Sequence, residues 1–123
     1  MNIIDSSAWL SYFADEASAA NFHSPIQDIE SLLVPVITIY EVFKVVLRET
    51  SENEALQVVA AMQKGKVVDL STTLAISASR LSLKHKLPMA DSIILATAKQ
   101  FDATVWTQDI DFKGIPGVKY FPK

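Results

Sequence analysis

The sequence predicts an α/β domain whose short, twisted, mainly parallel sheet of about five strands is flanked by helices on both faces. Three observations predict it. Short apolar runs alternate with longer segments of helical periodicity from one end of the chain to the other. Those runs are apolar throughout rather than at every second residue, as in strands buried between two helical layers. The 123 residues, half of them hydrophobic and 20% charged, can bury one core without a disulfide or structural metal, so we expect a single domain over residues 1–123.

Taken in order, residues 1–5 read as a buried strand that ends at Asp5, broken by Ser6 and Ser7. Trp9, Leu10, Tyr12 and Phe13 follow at helical spacing. Residues 17–24 look like a loop, and Pro25 is placed to open a short helix through Leu32. Residues 33–36 form a second strand. Thr38 opens a helix with Ile39, Val42, Phe43, Val46 and Leu47 on one face. Ser51 starts another, with Ala55, Leu56, Val59, Ala60 and Met62 apolar, and Gly65 ends it. Residues 67–70 give a third strand and 72–85 a helix with Leu74, Ile76, Ala78 and Leu81 inside. Pro88 opens a helix through Phe101. Residues 104–107 are the fourth strand and 118–121 the fifth.

The chain has no cysteine, which excludes zinc ribbons, iron–sulfur sites, thiol nucleophiles and disulfide scaffolds. No apolar stretch approaches the ~20 residues that span a bilayer, and no secretory leader is evident at the N-terminus. A cytoplasmic protein with no membrane partner is the expectation. The net charge of −3 argues against a protein that coats nucleic acid. Setting aside five of the 14 acids, however, leaves nine against 11 Lys and Arg, a mildly basic remainder.

Those acids are Asp5, Glu41, Asp91, Asp109 and Asp111. Asp5 ends the first strand and Asp109 lies two residues past the fourth, while Glu41 and Asp91 each fall in the first turn of a helix. In an open parallel sheet such positions share the edge where ligands bind. Each acid also has a purely structural reading. Asp5 can cap the next helix, Thr38-Ile39-Tyr40-Glu41 matches a capping box, Asp91 complements a helix N-terminus, and Asp109 and Asp111 suit a turn. Caps have no reason to crowd on one edge, though, and crowded carboxylates repel unless a cation compensates. An all-oxygen cluster suits Mg²⁺ or Mn²⁺.

Together, residues 2–7 (Asn-Ile-Ile-Asp-Ser-Ser), the Glu41 helix, the run from Pro88 to Ala98 around Asp91 and the segment Val105-Trp-Thr-Gln-Asp-Ile-Asp-Phe112 resemble the ordered motifs of PIN-domain ribonucleases. Length and the lack of other domains make the chain most similar to the VapC toxins of toxin–antitoxin pairs. The resemblance implies a Mg²⁺- or Mn²⁺-dependent endoribonuclease whose products carry 5′-phosphate and 3′-hydroxyl ends. It also implies a homodimer held inactive by a cognate antitoxin. By position it makes Asp5, Glu41, Asp91 and Asp109 the metal-binding and catalytic quartet, with Asp5 and Asp109 the foremost direct ligands. Thr107 and Ser6 would position the acids or the attacking water. Gln108 stands where relatives often carry a basic residue.

Other features are less specific. Lys44 and Arg48, and the run Lys84-His85-Lys86, can hold RNA phosphates or simply end helices in solvent. Trp9, Tyr12 and Phe13 suit the core or a groove for an antitoxin segment. Tyr40 reads as core or as a base-stacking ring. The alternatives to a nuclease are a non-catalytic binding module of the same fold and a phospho-acceptor receiver domain. A receiver needs paired acids after its first strand and an acceptor Asp ending a middle one, whereas Asp5 is followed by two serines and Asp69 precedes Leu70.

Overall fold

Five strands build one all-parallel sheet in a computed structural model that describes residues 1–123. They are β1 (Asn2–Ile4), β2 (Leu32–Pro35), β3 (Lys66–Val68), β4 (Thr104–Thr107) and β5 (Val118–Tyr120), in the order β3-β2-β1-β4-β5. The helices are α1 (Ser6–Phe13), α2 (Ala20–Gln27), α3 (Val36–Glu49), α4 (Glu52–Met62), α5 (Thr72–His85) and α6 (Met89–Phe101). The expected α/β class, parallel pairing and strand number all hold.

Alternation along the strands divides the core in two. Ile3, Leu33 and Val105 face α5 and α6, meeting Leu74, Ala78, Ile94 and Leu95. Ile4, Leu32 and Val34 face the other layer, against Trp9 of α1, Phe22 of α2, Val42 of α3 and Met62 of α4. α6 is buried continuously from Ser92 to Ala98, which fixes its first turn firmly against the sheet edge. Before β3 the chain passes so close to β2 that a Cβ on Gly65 would meet the Leu32 side chain at 3.0 Å.

Local details differ from the sequence reading. Residues 17–24 are a 3-10 turn (Ala17–Ala19) followed by α2, which begins five residues before Pro25 and ends at Gln27. Pro25 sits inside α2, where it withholds the bond to the Asn21 carbonyl. The polar residues Asn21, His23 and Ser24 disguise the amphipathic face made by Phe22 and Ile26. A second 3-10 turn (Ile29–Ser31) leads into β2. α3 starts at Val36, so Thr38 lies within the helix and its hydroxyl donates back to the Pro35 carbonyl at 2.7 Å. β3 is displaced toward the N-terminus and β5 stops at Tyr120. Leu56 and Ile76, expected inside, are about half exposed, because the packed faces of α4 and α5 are set by Val58 and by Leu74, Ala78 and Leu81.

From β1 the chain fills positions on one side, β2 and then β3, before β4 takes the other flank of β1. The strand order therefore reverses between β1 and β4, and a crevice opens beyond their C-terminal ends. A receiver sheet runs 2-1-3-4-5 instead, so this topology excludes that alternative. No helix is long and apolar enough to cross a membrane.

Candidate active site

The crevice at the switch point is where the predicted acids are found. Asp5 follows β1 directly and is 1% exposed. It caps α1, its Oδ1 accepting from the Ala8 backbone N–H at 2.9 Å. Ser7 Oγ donates to the same carboxylate, 2.9 Å from each oxygen, and Thr107 Oγ1 donates to Oδ2 at 2.7 Å. Thr107 Oγ1 in turn accepts from the Asp109 N–H at 2.9 Å. One hydroxyl at the end of β4 thus joins Asp5 to the backbone that carries Asp109. Burial pushes the Asp5 carboxyl up to about 6, against the opposing pull of its bonds from Thr107, Ala8 and Ser7, and the Asp109 charge adds to the rise.

Asp91, in the first turn of α6, is only partly buried, yet its carboxyl is pushed up to about 7. Burial is the largest cause; the negative charges of Asp109, Asp5, Glu41 and Asp111 follow in that order. The other four acids therefore all act on Asp91 across the crevice. Asp109 caps a 3-10 turn (Ile110–Phe112), accepting from the Asp111 N–H at 2.9 Å, and this turn swings Asp111 back toward Asp91. Asp91, Asp109 and Asp111 each present a carboxylate oxygen within 4.8 Å of the others. Asp5 and Glu41 border this triad.

Glu41 is not half of a capping box. Thr38 is committed to Pro35, and Glu41 Oε1 accepts from Ser6 Oγ at 2.6 Å across the mouth of the crevice. Ser6 therefore orients Glu41, while Thr107 orients Asp5. Ser7 is a partner of Asp5 that sequence reasoning missed, although the Asp-x-Ser spacing at a helix start signals it. Tyr40 is 60% exposed rather than core, with Lys44 Nζ 5.6 Å from its ring centre. Arg48 is held by its neighbour Glu49 at 3.1 Å in solvent, and Lys84, His85 and Lys86 end α5, with Lys86 in the left-handed region as its cap. None of these three features enters the acid group. Trp9 is core, stacked on Phe13 at 5.5 Å between ring centres.

The donor set fits a hard divalent cation. It is all oxygen, it contains no imidazole or thiolate, and its mutual repulsion is the strain that a cation relieves.

The PIN domain family matches residues 3–118, nearly the whole chain. The chain belongs to the PIN-domain family. No curated protein matches at the level of sequence alone. Among solved structures, this PIN domain is similar to a toxin–antitoxin complex from Klebsiella pneumoniae, at 23% identity and a TM-score of 0.85, with both chains covered in full. VapC20 of Mycobacterium tuberculosis, described as a sarcin–ricin-loop-cleaving toxin, aligns at 15% identity and a TM-score of 0.82 over 99% of this chain and 100% of that one. VapBC2 of Rickettsia felis, bound to a promoter DNA fragment, aligns at 16% identity and a TM-score of 0.73, covering 98% and 97%. At these identities the likeness is one of fold.

Proposed function

We propose that this PIN domain is a Mg²⁺- or Mn²⁺-dependent endoribonuclease and the toxin of a cytoplasmic toxin–antitoxin pair. The observation that carries the reading is the gathering of acids at the β1–β4 switch point, where Asp91, Asp109 and Asp111 present carboxylate oxygens within 4.8 Å of one another and Asp5 and Glu41 add their charges.

In this reading Asp91, Asp109 and Asp111 hold the cation, and Asp5 and Glu41 complete its surroundings directly or through water. A divalent ion bound there neutralises phosphoryl oxygens and acidifies water. Asp5 cannot swing away, because three donors, Ala8 N–H, Thr107 Oγ1 and a Ser7 hydroxyl shared between its oxygens, fix the carboxylate. Glu41, held by Ser6 on the opposite side and only partly buried, is placed to orient the attacking water or take its proton. Hydrolysis of the phosphodiester adds water across the P–O3′ bond, leaving a 5′-phosphate and a 3′-hydroxyl.

A cognate antitoxin is supported by the solved relatives, which include toxin–antitoxin complexes. A cavity of about 390 Å³ between α1, α3 and α4, with Leu10, Phe13 and Val46 on its floor and Glu16, Glu49 and Glu54 at its rim, suits a basic, apolar antitoxin segment. A homodimer is supported by the exposed Leu70, Ile76, Leu83 and Met89 in and beside α5 and at the start of α6.

The test is cleavage of RNA by purified protein with Mg²⁺ or Mn²⁺, with EDTA, and as Asp91→Asn. Cleavage that needs the ion and Asp91 is expected. Equal cleavage in EDTA or by the variant overturns the reading.

A further inference from the structure

Gln108 has an unexplained buried atom. It lies between Thr107 and Asp109 and is 6% exposed. Its Nε2 donates to the Ser7 carbonyl at 3.4 Å, beyond the usual range for such a bond, and its Oε1 has no partner of any kind. A buried carbonyl oxygen without a donor is costly, and such groups in native proteins call for a reason. Gln108 also lines a cavity of about 360 Å³ with Ser7, Asp109, Ile110, Tyr120 and Lys123, a volume in the range of small-ligand sites.

We propose that Gln108 is a specificity-determining residue, its carboxamide oxygen accepting a hydrogen bond from the nucleotide that occupies this cavity beside Asp109. The donor is either a ribose 2′-hydroxyl or a base amino group. This rests on the ribonuclease reading above. The cavity's chemistry selects a nucleotide: Asp109 borders it from the reacting side, Tyr120 offers a ring for stacking, and Lys123 is its one cation, suited to a phosphate. The neighbouring cavity shares Ser7, Gln108 and Lys123 but adds Glu16, Glu49 and Glu54, three like charges that make it the poorer place for a phosphate. Because a single long bond holds the amide, a turn about its last torsions brings the free oxygen to a ligand at little cost in lost contacts.

The experiment compares wild type, Gln108→Met and Gln108→Glu on a randomised RNA library and on the same library with 2′-deoxy residues, with Mn²⁺ present and the cut ends sequenced. Met keeps the volume and removes the amide. Glu keeps the acceptor and gives up the donor to Ser7. Wild type is expected to favour amino-bearing bases at one position beside the cut, or ribose over deoxyribose. Gln108→Met should lower that ratio about tenfold, the worth of one hydrogen bond, while Gln108→Glu retains it. A change confined to the base ratio assigns the base amino group; one confined to the sugar ratio assigns the 2′-hydroxyl. Unchanged ratios in Gln108→Met overturn the proposal. Equal loss in both variants also overturns it, since the amide then only ties β4 to α1. A wild type that cleaves no RNA removes the ribonuclease reading itself, and this proposal with it.

Discussion

The two halves of the acid crevice are built on opposite principles. On the β1 side, Asp5 is nearly inaccessible, but every direction around it is answered by a donor: Ala8 N–H, Ser7 Oγ and Thr107 Oγ1. On the α6 side, Asp91 is less buried yet its carboxyl is raised further: burial acts on it first, four other acids add to the rise, and no donor offsets them. Burial alone does not order the two. What separates them is whether the fold itself supplies compensation or leaves it to a ligand. Asp5 belongs to the scaffold as well as the crevice; the Asp91–Asp109–Asp111 side is the one we propose for a cation.

The sharpest way to break that contrast is to remove one acid from each half. Asp91→Asn should lower RNA cleavage by about a hundredfold or more, since even the outer partners of a metal are worth up to that. Its melting temperature in EDTA at pH 8 should nonetheless rise, because a like charge has gone. Asp5→Ala should also lose activity, but should cost about 1–2 kcal/mol in urea unfolding at pH 5, where both carboxyls are largely neutral, through loss of the cap and of partners for Thr107 and Ser7. Equal stability effects would erase the distinction.

A second effect concerns pH. Both carboxyls titrate higher in the folded protein, Asp5 at about 6 and Asp91 at about 7, than the ordinary 3.8. Between pH 4 and 7 the folded state therefore holds more protons than the unfolded one, and stability must fall as pH rises. Thermal melts in EDTA should drop from pH 5 to pH 8 by several degrees or more, of the order that a few kcal/mol (roughly 1–4) produces in a domain of this size. Mg²⁺ should recover more of this at pH 8 than at pH 5. A flat profile in EDTA would mean that neither carboxyl is raised by its burial and its acidic neighbours.

Thr107→Val tests the link between the halves. It removes the donor to Asp5 and the acceptor for the Asp109 N–H while keeping shape, so it should cost about 1–2 kcal/mol and lower kcat more than it raises KM. The smallest effect is expected from Ser6→Ala. Glu41 loses its one side-chain donor, stability stays within about 0.5 kcal/mol, and kcat falls about tenfold, the low end for an orienting partner.

Much of the fold was legible because the signals are local. Apolar runs such as Leu33-Val34 and the periodicity of α5 and α6 depend only on neighbours in sequence, and they located all five strands to within one or two residues. The segment before Pro25 misled for an equally local reason: its buried face is only Phe22 and Ile26, too few to outweigh the polar residues between them. Thr38 misled because a capping box and an interior helical threonine share the same four letters. Which one forms is set by where β2 releases the chain, at Pro35.

The acids divide along the same line. Residue type, order and proximity to strand ends are properties of the sequence, and they were enough to single out Asp5, Glu41, Asp91 and Asp109 and to name a hard cation. Only the folded chain decides that Asp111 turns in beside Asp91 and Asp109, that Ser6 reaches Glu41 across 35 residues, and that Thr107 reaches Asp5 across 102. The composition also holds the surplus of charge, but its effect falls off within ångströms. A sequence can list five carboxylates; the sheet order that sets β1 beside β4 makes them neighbours, and closeness is what turns separate acids into a single electrostatic unit.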